Sequence, residues 1–168
     1  PGSGVNLKDY EYKDFPKSEK IIFNFIGRIM KDKGIDEYLG AAKIISEKYP
    51  NTLFNVIGFV ENTQSYYKDK IESYQKNGYI KYLGFQSDIK PYVEEAHCLI
   101  QPSHGGEGIS NVLLETGATG RVLIASNIPG CRETIQEGKN GYIFEARNTD
   151  NLVEKIELFI NLSDEERS

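Results

Sequence analysis

Short apolar runs alternate with longer amphipathic ones along almost the whole chain, and that alternation leaves few folds open. Residues 21–26, 53–57, 79–83, 97–101, 122–125 and 141–144 are short and apolar, as buried strands are. Between them, residues 35–49 place Leu39, Ala42, Ile45 and Tyr49 at helical spacing, and residues 64–75, 88–95, 110–118 and 150–160 are further helical segments. Strand, helix and strand in succession close by a right-handed crossover. The expected fold is therefore α/β, a Rossmann-like parallel sheet of about six strands with helices on both faces. Such sheets bind ligands beyond the carboxyl ends of their strands. The loops expected there are residues 27–34, 58–63, 84–87, 101–109 and 126–129.

A chain of 168 residues suits one domain with a sizeable core. Its 20 basic and 25 acidic residues leave a net charge of -5, which gives no bulk attraction to nucleic acid or an anionic membrane. Any phosphate must then be held locally. Cys98 and Cys131 lack a Cys-x-x-Cys partner and no signal peptide precedes them, so reduced thiols and a cytoplasmic location are expected. No apolar stretch approaches the roughly 20 residues of a membrane span. The opening Pro-Gly-Ser-Gly-Val-Asn has linker composition. Residues 1–18 are expected to be an interdomain linker and the start of the domain, and residues 19–168 the domain itself, excised from a larger two-domain enzyme.

The stretch from Pro102 to Glu115 carries the most chemistry. An apolar run feeds a Gly-rich loop with Glu107, and the loop opens into a helical segment carrying Glu115. Amides at a helix N-terminus suit a phosphate and carboxylates suit sugar hydroxyls, so the expected ligand carries both. On a helix, two residues eight positions apart differ by about 80° and roughly 12 Å, so the two carboxylates border one elongated ligand without sharing a proton. The first loop adds Arg28 and Lys33, a fork of donors and a point charge suited to a diphosphate. Taken singly, each of these residues is as well explained as a solvated charge, a helix-stabilising acid or a strand-ending glycine. Their convergence on one sheet edge favours a site. His97 opens an apolar strand and is expected to be structural, while His104 is a candidate for lining a sugar pocket. Gly106 and Gly108 nearly match a dinucleotide fingerprint but lack its third glycine, and there is no Walker lysine motif, Gly-x-Ser-x-Gly elbow, Asp-x-Asp pair or zinc-spaced histidine pair.

Several ordered motifs then carry a resemblance that covers nearly the whole chain: Gly27-Arg28 with Lys33-Gly34, Val56-Ile57-Gly58, Tyr82-Leu83-Gly84-Phe85, Pro102-Ser103, Glu107 with Glu115, Ile124-Ala125-Ser126 and Asn140-Gly141. Together they resemble the donor half of glycosyltransferase family 4, in particular its bacterial capsular and exopolysaccharide members. The resemblance implies one half of a GT-B fold and a retaining, metal-independent transferase without a cofactor. The enzyme would move a hexose or N-acetylhexosamine from a nucleotide sugar, UDP-linked, to a surface glycan. It further implies that Arg28 and Lys33 grip the diphosphate beside Gly27. Gly108 and the amides of Ile109, Ser110, Asn111 and Val112 complete the cradle. Glu115 takes the ribose hydroxyls, Glu107 the transferred sugar, and backbone around Phe85 and Gln86 the base. The acceptor, a glycan or lipid-linked sugar, would be held mainly by an N-terminal domain, at the inner face of the membrane. Where the family usually has Gly-x-Pro-Val, this chain has Gly120-Arg121-Val122-Leu123, and the Glu107 loop is one residue longer. A non-catalytic nucleotide-binding module, or another GT-B enzyme such as a nucleotide-sugar epimerase, are the alternatives.

Overall fold

The computed structural model describes residues 10–105 and 110–162. Six parallel strands form one sheet: β1 (Ile21–Ile26), β2 (Thr52–Ile57), β3 (Lys81–Gly84), β4 (Cys98–Gln101), β5 (Val122–Ser126) and β6 (Gly141–Phe144), in the order β3-β2-β1-β4-β5-β6. The helices α1 (Ile35–Lys48), α2 (Tyr67–Lys76), α3 (Lys90–Glu95), α4 (Asn111–Ala118) and α5 (Thr149–Ile160) occupy the crossovers and the end of the described chain. This is the Rossmann-like architecture that the alternation predicts.

Strand side chains alternate between two apolar clusters, which is how a parallel sheet covered on both faces is built. Phe23, Phe25, Ile100 and Ile124 join α1, α2 and α5 in the larger cluster, through Tyr38, Ile71 and Phe159. Leu99, Leu123 and Ala125 project to the other face and pack with Leu113 of α4 and Cys131. In the centre of the sheet Asn24 and Asn55 are register partners, both buried, and they are hydrogen-bonded to each other at 3.0 Å. Asn24 also donates to the Tyr92 carbonyl of α3, so this polar pair ties a short helix to β1.

The helix boundaries differ from the apolar pattern only where local chemistry intervenes. The expected helix at residues 64–75 begins at Tyr67, because a 3-10 turn at Asn62–Gln64 comes first. The expected helix at residues 88–95 begins at Lys90, where Asp88 accepts the Lys90 N–H and Pro91 sits in the first turn. The described part of the expected linker packs on the domain: Lys13 N–H donates to the Thr119 carbonyl, and the buried Arg121 donates to the carbonyls of Lys13 and Glu94. His97 is structural, accepting the Ile22 N–H at Nδ1 and lying 3.1 Å from the Pro16 carbonyl through Nε2. Among the described residues, no helix is long and apolar enough to cross a membrane.

Candidate functional site

From β1 the chain runs outward through β2 and β3, then returns so that β4 lies on the other flank of β1. Doubly wound sheets leave a crevice at the carboxyl ends of the two strands where the order reverses. A cavity of about 280 Å³ opens there. Gly27, Arg28 and Lys33 reach it from the loop after β1, Gln101 and Ser103 from the end of β4, and Ser110, Asn111 and Val112 from the start of α4. Phe25, Ile26 and Ile100 supply the apolar part of the lining.

The two loops come together through one glycine. Gly34 has φ 78° and joins the 3-10 turn at Lys31–Lys33 to α1. A β-carbon on Gly34 would lie 2.0 Å from the Pro102 carbonyl oxygen, so a side chain is excluded both by the backbone conformation and by the neighbour. The Asp32 carbonyl accepts N–H bonds from His104 at 2.9 Å and Gly105 at 3.2 Å. The loop carrying Lys33 is thereby hydrogen-bonded to the loop after β4. Gly58 approaches Gly27 just as closely, since a β-carbon on Gly58 would lie 1.8 Å from the Gly27 carbonyl oxygen.

The charges in this cleft suit an anion. Among its described lining residues are the cations Arg28 and Lys33 and no carboxylate. Arg28 is half exposed, and its Nη1 lies 3.5 Å from Glu61 Oε2. An exposed pair of that kind contributes at most about 1 kcal/mol, so the guanidinium is readily exchanged to a phosphate. At the start of α4 the Ser110 hydroxyl accepts the Leu113 N–H at 3.2 Å, and no acid sits in the first turn. The positive end of this helix is therefore not neutralised by its own described residues.

Among the residues expected in the site, Gly27, Arg28, Lys33, Ser110, Asn111 and Val112 are brought together in the cleft. Glu115, half-buried further along α4, does not line it. Phe85 follows β3 and is 67% exposed, in an edge-to-face contact with Phe59 at 6.3 Å. Gln86 donates to the Leu83 carbonyl. Both stand on the carboxyl edge of the sheet but outside the cavity. Glu107, Gly108 and Ile109 lie outside the described residues. His104 does not line the cavity: its side chain is buried, with Nε2 3.7 Å from Glu37 Oε1 of α1. Two polar lining residues, Ser103 and Gln101, were not singled out as site residues from sequence. Ser103 belongs to the Pro102-Ser103 motif and receives the Ser126 hydroxyl at its carbonyl. Gln101 is signalled only by being polar at the end of an apolar run. A larger hollow of about 560 Å³ lies beside Phe59, Ile71 and Tyr82, but its charged lining is Lys68 and Glu72 of α2. The smaller cavity differs from it in bringing two loop cations and a helix N-terminus together.

A family model described as "Glycosyl transferases group 1" matches residues 9–168. The chain belongs to this family. Within it, the capsular polysaccharide biosynthesis glycosyltransferase CapM of Staphylococcus aureus is 31% identical over 144 residues, 86% of this chain and 38% of that protein. The chain thus spans well under half the length of this curated relative. Among solved structures, the C-terminal domain of the glycosyl transferase group 1 family protein LpcC from Francisella tularensis superposes with a TM-score of 0.81 at 24% identity, covering 98% of this chain and 91% of that one. Anabaena Alr3699/HepE, solved with UDP-glucose, gives a TM-score of 0.82 at 18% identity over 98% of this chain and 47% of that one. The shared fold is the Rossmann-like half of a GT-B architecture.

Proposed function

We propose that this chain is the donor-binding domain of a retaining, metal-independent glycosyltransferase. The enzyme transfers a hexose or N-acetylhexosamine from a UDP-linked sugar to a growing surface glycan. One observation carries this reading: Arg28, Lys33 and the Ser110-capped N-terminus of α4 meet in a single cleft at the point where the strand order reverses. The family's capsular member and the UDP-glucose complex of a protein with the same fold support the choice of donor and product class.

Chemistry follows from where charge moves. As the bond between the anomeric carbon and the diphosphate oxygen breaks, negative charge grows on the leaving diphosphate. Fixed cations and amides that meet it there are worth more in the transition state than in the ground state, which is the condition for catalysis. Arg28 and Lys33 have this role, together with the α4 amides. A diphosphate oxygen takes the acceptor's proton as the new bond forms on the same face, so configuration is retained without a protein nucleophile. Glu115 serves the ribose hydroxyls, Glu107 the transferred sugar, and the backbone at Phe85 and Gln86 the base, with the exposed rings of Phe59 and Phe85 beside it. The acceptor is bound mainly by an N-terminal domain at the inner face of the membrane.

Titration calorimetry of the chain with UDP, GDP and ADP sugars tests this reading. Saturable binding of the UDP ligands, lost in Lys33→Ala and weakened in Glu115→Ala, is expected. Absence of binding by any of the three nucleotides, or binding indifferent to Lys33→Ala, would overturn it.

A further inference from the structure

At the mouth of the cleft, one side chain has both ends of its amide engaged. Gln101 ends β4. Its Oε1 accepts the Ser110 hydroxyl at 2.8 Å, and its Nε2 donates to Cys131 Sγ at 3.4 Å. Ser110 Oγ in turn accepts the Leu113 N–H at 3.2 Å. A chain of three hydrogen bonds therefore runs from the loop after β5, across the end of β4, into the first turn of α4.

Each link has a fixed consequence. Cys131 is fully buried and is held in its own turn, its N–H donating to the Ile128 carbonyl and its carbonyl accepting the Thr134 hydroxyl. It offers the Gln101 amide a stationary anchor. With Nε2 directed at the sulfur, Oε1 is presented to Ser110. A serine hydroxyl has one proton and two lone pairs, and it rotates to suit its surroundings. Giving the proton to Gln101 turns a lone pair toward Leu113, the geometry an N-cap requires. The Leu114 N–H already closes on the Ser110 carbonyl at 3.2 Å, so the cap accounts for the next amide toward the N-terminus. The helix offers no intrahelical acceptor to the Val112 amide, and Val112 lines the cleft.

We propose that Gln101 is a positioning residue for phosphate recognition: it fixes the rotamer of the Ser110 cap and so aims the first turn of α4 at the donor diphosphate. The proposal rests on the donor-binding reading of this cleft, and goes beyond it by assigning a residue that contributes through Ser110. Gln101→Met keeps the length of the side chain and removes both polar ends. Gln101→Glu keeps an acceptor for Ser110.

Amide hydrogen exchange of the unliganded chain, with β2 amides as the reference for global stability, reads the positioning directly. In Gln101→Met the Leu113 amide exchanges about fivefold faster, the scale of a lost N-cap, while the β2 amides are unchanged. Gln101→Glu restores Leu113 protection. In the same Met variant, affinity for UDP falls about fivefold and affinity for uridine, which lacks the diphosphate, stays the same. Unchanged exchange at Leu113 in Gln101→Met overturns the proposal, as does failure of Gln101→Glu to restore it. Equal UDP affinity in wild type and Gln101→Met overturns it too. If the wild-type chain binds no UDP, the donor-binding reading fails, and Leu113 exchange still decides whether Gln101 sets the cap.

Discussion

A β-carbon at Gly34 would lie 2.0 Å from the Pro102 carbonyl oxygen, where φ is already 78°. Gly34→Ala therefore has to move backbone, and it is expected to destabilise the chain by about 1–3 kcal/mol in denaturant unfolding and to weaken UDP binding by separating the loops after β1 and β4. Arg28 has the opposite character: among the described residues it is held by an exposed pair with Glu61. Glu61→Gln should release it and raise UDP affinity by up to about fivefold at low salt, the scale of an exposed ion pair, with the gain shrinking as salt is added. Arg28 and Lys33 were legible in the sequence because two cations in one strand-end loop need few assumptions. His104 was not, because its burial against Glu37 depends on how the β4 loop lies on α1. Gln101 was equally hidden, since its partners Ser110 and Cys131 are nine and thirty residues away in sequence.

Among the elements, α4 shows most clearly how local preference and tertiary demand are balanced. Ser110 caps it, yet Gly117 sits inside it at an ordinary helical position. A β-carbon there would meet Leu123 Cδ1 at 3.6 Å, an ordinary contact. Gly117→Ala is expected to stabilise the chain by up to about 1 kcal/mol in thermal or denaturant unfolding, with UDP affinity unchanged. The strands and helices were legible because buried strands and amphipathic helices have different periods. Their starts were less so: Pro91 and the Asn62–Gln64 turn act within a few residues, below the resolution of periodicity. The departure at Gly120-Arg121 has a structural account. Arg121 gathers the carbonyls of Lys13, Thr119 and Glu94 and stacks over Phe15, holding the segment before β1 against the sheet.

For the whole molecule, the order β3-β2-β1-β4-β5-β6 turns a one-dimensional alternation into one crevice with a defined chemistry. Alternation implies a parallel sheet, but strand order depends on which neighbour each strand packs against, and that is set by contacts between distant segments. The cleft's cations and helix end were therefore identifiable one at a time, and their convergence only in three dimensions. The proposed function puts the diphosphate of a UDP-linked donor in this crevice. An NMR titration of the chain with UDP, following backbone amides, tests it directly. The predicted result is saturable shifts concentrated at Gly27, Arg28, Lys33, Asn111 and Val112. Shifts centred on the opposite edge of the sheet, around the smaller cavity beside Gly120, Arg121 and Asn140, or no shifts at all, would contradict it.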